Sequence, residues 1–353
     1  MDLARLRPVP LLALLLLNGC TTYYGQLAGG HLQLMSQRQP IQAILDDKAA
    51  DPQLQARLAQ ALGARAFASG HLGLPDNDSY RAYATLSQPY AVWNLFATEA
   101  YSLEPHTWCF PIAGCVAYRG YYRQGAARAE AARLGHRGLD TQVIGIEAYS
   151  TLGWFADPLL SSMLYRDDDG LAALIFHELA HQRLYLPGDT EFNESYATFV
   201  EREGLRQWRA HRGLSDPDET RAQAQQQLIE LMLDARERLR LLYAQPLAEG
   251  EMRQRKREEF SALRTRYRQL RDEAWQGRGY FDHWFARPLN NASLLPFGLY
   301  HRWVEAFAAL FEASERDWVA FHQTVARLAR KPPDERRTRL ERLEKQQAER
   351  LAH

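Results

Sequence analysis

The sequence predicts an α+β fold, predominantly helical, with a small sheet, a pair of consecutive helices bearing histidines and acids, and a long antiparallel helical hairpin. Three observations predict it. Leu174 to Phe199 reads LIFHELAHQRLYLPGDTEFNESYATF, two helical stretches broken at Pro187-Gly188. Residues 80–155 mix aromatic and β-branched residues with turn formers, and TQVIGIEAYSTLGWF is the clearest strand candidate. After residue 215, apolar residues recur every three and four positions along two long charged runs.

Taken in order, the N-terminus has Arg5 and Arg7, an apolar run from Leu11 to Leu17, and then Asn18-Gly19-Cys20. This is the layout of an export signal, and seven apolar residues are too few to span a bilayer. The Leu-x-Gly-Cys end resembles the lipobox of bacterial lipoproteins. That resemblance implies removal of residues 1–19, lipidation of Cys20, and a periplasm-facing membrane anchor. With Thr21 following, the outer membrane is expected rather than the inner. The two other cysteines, Cys109 and Cys115, form an isolated pair that an oxidising compartment would join as a disulfide.

Leu32, Leu34, Met35, Ile41, Ile44 and Leu45 are spaced for helix, and Leu54, Leu58 and Leu62 continue into a second one. A core unit is assigned to 20–214 and the hairpin arm to 215–276. A helical return to the core covers 277–330, and 331–353 is a charged, solvated helix or frayed tail. In the hairpin, Leu228, Met232, Ala235, Leu239 and Leu242 face Phe260, Leu263, Tyr267, Leu270 and Ala274 across a narrow apolar seam. Arms of about 26 residues would run roughly 39 Å, long enough for part to project and meet an envelope protein partner.

Composition excludes little else. Forty-three basic residues balance forty-three acidic ones, so no global field draws in nucleic acid. The chemistry lies in HELAH. His177 and His181, four apart on a helix, share one face and can bind one ion, while Glu178 leans over a water on that ion. Zinc suits two imidazoles and a carboxylate, needs a third protein ligand, and lowers the pKa of its water to about 7. No histidine stands six residues past His181, which argues against a three-histidine site. Glu194, at the start of the next helix, is the first choice for third ligand. Glu201, seven residues on and on the same face, is either the alternative ligand or the acid that orients a histidine. Asp189 and Glu191 read as turn or capping groups.

FHELAHQ with FNESYATFVEREG, WCFPIAGCVAYRGYY, EAYSTLGWFADPLL and LNNASL resembles the bacterial predicted-aminopeptidase family over nearly all of the chain after the leader. The resemblance implies that the 20–214 core is a zincin-like metallopeptidase with a glutamate third ligand, acting on a peptide substrate, with Glu178 as general base. An edge strand, VIGIEAYST, would then hold the peptide extended. Glu147 in it could receive a free α-ammonium or be an ordinary solvent-facing acid. Tyr300, His301 and Tyr196 are candidate oxyanion donors. Asn290 and Asn291 read first as a helix cap and second as substrate contacts. The reading from another class is a lipid-anchored envelope scaffold whose metal site is structural or vestigial.

Overall fold

The structure, a computed structural model, describes residues 18–110, 114–148, 150–215 and 219–351. Residues 1–17 of the expected leader lie outside it, as do Pro111, a turn former between the two cysteines, residues 216–218 of SDPDET, which reads as a helix cap with an early proline, and the side chain of Cys20. Helix α1 spans Asn18–Ser36, α2 Ile41–Asp46 and α3 Pro52–His71, the last capped by Asp51 and opened by Pro52.

Short strands follow: β1 (Gln39–Pro40), β2 (Ala82–Ala84), β3 (Val92–Thr98), β4 (Trp108–Phe110), β5 (Gly114–Val116), β6 (Arg119–Tyr121), β7 (Asp140–Ile146) and β8 (Leu159–Leu160). They form three small sheets, ordered β1-β2-β8, β6-β3-β7 and β4-β5. Antiparallel β3 and β7 run from Val92 opposite Ile146 to Thr98 opposite Asp140. In β4-β5, Cys109 stands opposite Cys115, and the two form a disulfide. Helix α4 (Gln124–Gly135) packs on β3 and β7. The strand expected to continue to Thr151 stops at Ile146, so Glu147 lies just past it.

The remaining helices are α5 (Asp168–Arg183), α6 (Thr190–His211), α7 (Glu219–Tyr243), α8 (Glu249–Gln269), α9 (Asp282–Phe285), α10 (Asn291–His301), α11 (Val304–Ala313), α12 (Trp318–Ala329) and α13 (Pro333–Leu351). The fold is thus α+β and predominantly helical. Helix α5 begins at Asp167, whose carboxylate accepts from Gly170 N, with Asp168 and Asp169 in the first turn where the helix dipole favours acids. Helix α6 begins at Asp189, which accepts from Phe192 N. Glu194 is therefore in the second turn of α6, not at its start as the sequence suggested.

The largest core joins α3, α5 and α6 to α11, α12 and α13 through Phe67, Phe176, Phe192, Tyr196, Phe307 and Phe321. Every expected seam residue of the α7–α8 hairpin is buried or partly buried except Ala274. There the helix widens into a π turn (Leu270–Ala274), shifting the register so that Trp275 fills the seam instead. The hairpin does not project free along its length. Tyr243 donates to Asn291 Oδ1 at 2.8 Å, Arg236 to Leu294 O at 3.2 Å, and Lys256 pairs with Asp140. The charged tail is likewise docked. Leu340 and Leu343 are buried, and Arg336 reaches Asp189 at 2.7 Å.

One contact sets the distance between the two acid- and histidine-bearing helices. A Cβ built on Gly204 of α6 would stand 2.7 Å from Leu72 and 3.1 Å from Phe176. Gly204→Val should therefore cost about 1–3 kcal/mol by overpacking, read as a lowered midpoint in urea denaturation with an unchanged m-value.

Candidate metal centre

Helices α5 and α6 pack side by side, joined by a turn that is tied shut. Asn193 accepts from Leu186 N at 2.7 Å and donates to Leu186 O at 2.8 Å, a side chain standing in for a strand partner. This lock sits beside Glu194 and fixes its approach to α5. The carboxylate oxygen Oε2 of Glu194 lies 3.4 Å from His177 Nε2 and 3.4 Å from His181 Nε2, and the two imidazole nitrogens are 3.1 Å apart.

That triangle fits a divalent ion. Tetrahedral zinc with bonds of about 2.05 Å spaces its ligands about 3.3 Å apart, close to the three separations found. All three residues are buried, with relative exposures of 7%, 8% and 5% for His177, His181 and Glu194, and Glu194 Oε2 has no hydrogen-bond donor. A buried carboxylate oxygen facing two ring nitrogens is costly without a cation. Among the described residues, these three form the one group able to hold a metal.

The surroundings tune the triangle. Glu201 meets His177 Nδ1 at 2.9 Å, a contact that favours a proton on Nδ1 and so, when a metal is bound, leaves Nε2 as the ligand atom. Tyr118 donates to Glu194 Oε1 at 3.4 Å. Tyr300 stacks on His177 with ring centroids 6.0 Å apart, and Tyr185 stands edge-on to His181 at 6.5 Å. Burial, then the charge of Glu194, raises the pKa of all three tyrosines, so they stay neutral donors. Burial disfavours imidazolium at His177, yet Glu194 and Glu201 outweigh it and raise its pKa to about 10. Against the same burial, the histidines hold Glu194 at about 2. Without a metal ion, the imidazolium itself meets the charge of the carboxylates, and a divalent ion binding here would displace its proton. The pKa of Glu178, which is half-buried, is raised first by burial, partly offset by both imidazoles.

Several sequence-predicted residues lie elsewhere. Tyr196 is fully buried and its hydroxyl bonds His322 Nδ1 at 2.9 Å, so it faces the core. His301 receives Arg202 at 3.2 Å and lines a cavity of about 760 Å³ beside α7 and α11, with its pKa lowered to about 4 by burial and by Arg202. Glu147 is paired with Arg166, a cation that already occupies the carboxylate considered for an α-ammonium. Asn290 caps α10 by accepting from Ser293 N, and Asn291 is spent on Tyr243 and the carbonyls of Ala100 and Ser102. Strand β7 packs on α4 and α10, where Asn290 donates to Thr141 O. The donor that sequence reasoning missed is Tyr118. Its only signal was its place in the cysteine-containing segment, and Thr190 holds that segment against α6 by accepting from Ala117 N at 3.3 Å.

A family model described as Putative aminopeptidase matches residues 22–340. The chain belongs to that family. No curated protein and no solved structure matches it. In this aminopeptidase-family chain the matched span includes the whole triad, Glu178, Glu201 and the Tyr118 and Tyr300 shell.

One outcome tests the centre and a second tests a buried acid outside it. Glu194→Ala should abolish stoichiometric zinc binding, whereas Glu201→Ala should weaken it about 10- to 100-fold, both read by chelator competition. The second concerns Asp157, fully buried just before β8 and raised to about 6, first by burial, while Thr151 holds it down. Its folded pKa exceeds the unfolded one, so its proton stabilises the fold below about pH 4 and that stability is lost as pH rises to about 6. Asp157→Asn, which can keep both Thr151 contacts, should remove a decline of roughly 1–3 kcal/mol over that window, measured by denaturation at each pH.

Proposed function

We propose that the chain is a zinc-dependent peptidase, an aminopeptidase by family, that uses His177, His181 and Glu194 as ligands and Glu178 as general base. The observation that carries this reading is the buried triangle of two imidazole nitrogens and one donorless carboxylate oxygen, spaced for a tetrahedral ion. A zinc ion held there supplies Lewis acidity toward a peptide carbonyl and toward water.

The chain's own residues do the rest. Glu201 keeps His177 in the tautomer that offers Nε2. Glu178, the half-buried acid of the motif, takes a proton from the attacking water and passes it to the leaving amine. Burial raises its pKa above the ordinary glutamate value, against the lowering effect of both imidazoles. Tyr118 and Tyr300 are the neutral donors nearest Glu194 and the candidates to stabilise developing negative charge. The Cys109–Cys115 disulfide supports export to an oxidising compartment, in keeping with a lipid anchor at Cys20 on the periplasmic side of the outer membrane.

The test is metal analysis of the purified protein with a peptide panel bearing free and blocked N-termini. We expect one zinc per chain, chelator-sensitive hydrolysis, and preference for free N-termini. Glu178→Gln should keep the zinc and lose about 10²- to 10⁴-fold in kcat. Zinc without turnover across the panel would overturn the peptidase reading in favour of an envelope scaffold.

A further inference from the structure

Between β7 and α5 the chain carries two largely exposed apolar side chains: Trp154 is 68% exposed, and Phe155 is 55% exposed with one side of its ring 4.7 Å from the His31 ring of α1. The segment that carries them is firmly built. Buried Asp157 accepts from Thr151 N at 2.9 Å and from Thr151 Oγ1 at 2.8 Å, and Phe155 N donates back to Thr151 Oγ1 at 3.1 Å. Leu152 and Gly153 are consecutive left-handed residues, with φ of 56° and 81°. A leucine avoids that region, so the turn presenting the rings is held in place by its surroundings.

The segment also rests on the candidate catalytic helix. A Cβ on Gly153 would lie 3.6 Å from the side chain of Gln182, and Asn77 (2.7 Å) and Ser79 (3.2 Å) fix the Gln182 amide. Gln182 is four residues after Glu178, on the same face of α5. Two exposed aromatic rings are thus anchored one helical turn from the proposed general base.

Building on the peptidase reading, we propose that Trp154 and Phe155 form a subsite for an apolar side chain of the peptide substrate. Continuity with Glu178 argues for a peptide as occupant. A lipid surface is the rival occupant, since Phe155 also lies 4.7 Å from His31 of α1, and the vesicle arm of the experiment separates the two.

The experiment uses full-length, zinc-loaded Glu178→Gln protein, which binds without turning over. Calorimetry compares alanine-based pentapeptides carrying one phenylalanine or one aspartate at each position in turn. We expect at least one phenylalanine peptide to bind about tenfold more tightly than its aspartate counterpart. Adding Trp154→Ala and Phe155→Ala should erase that preference while zinc content and thermal midpoint hold. A preference that survives the double substitution overturns the subsite but leaves the peptidase reading standing. So does loss of binding to anionic phospholipid vesicles with peptide affinities unchanged, which would make the rings a lipid contact. Zinc-loaded protein that binds none of the peptides overturns the subsite and the peptidase reading together.

Discussion

A carboxylate shut away between two imidazoles governs how everything around it is arranged. Glu194 has lost its water, and the attraction of His177 and His181 replaces hydration only at close range and fixed angle. Two helices must therefore meet with little tolerance. Gly204 lets α6 close onto Phe176 and Leu72, and Asn193 pins the connecting turn to Leu186. The aromatic core between α3, α5, α6 and α12 supplies the rigidity that keeps the meeting in register.

Around that contact stand neutral tyrosines and the outer acid Glu201, which settle tautomers and charge without adding ligands. Glu178 stands next to His177 on α5, and the loop-borne aromatic segment rests on Gln182, one helical turn further along the same face.

The local parts of this arrangement were legible in the sequence and the tertiary parts were not. His177 and His181 share a helix face by spacing alone, and the hairpin seam followed from its three-four repeat, because both are properties of one chain segment. Glu194 was identifiable by its residue type and neighbourhood, but the helix was started there, whereas Asp189, a capping acid as its sequence position suggested, starts it four residues earlier at Thr190. Tyr118 comes from 76 residues away, and no periodicity announces a hydroxyl delivered by packing. Trp154 and Phe155 looked like the end of a strand, although paired left-handed residues turn them outward. The docking of the hairpin and tail was hidden by composition, since a few buried leucines suffice to seat a helix that is otherwise charged.

Such seating has its furthest effect at the end of the chain. Asp189 spends one oxygen on the first amide of α6 within its reach and the other on Arg336, which is itself sealed against the backbone of Ala329 and Lys331. The final helix is thus a remote buttress of the ligand-bearing one. Trimming it as a dispensable polar appendage would bare Leu340 and Leu343 and take Arg336 away from the acid that caps the helix carrying Glu194.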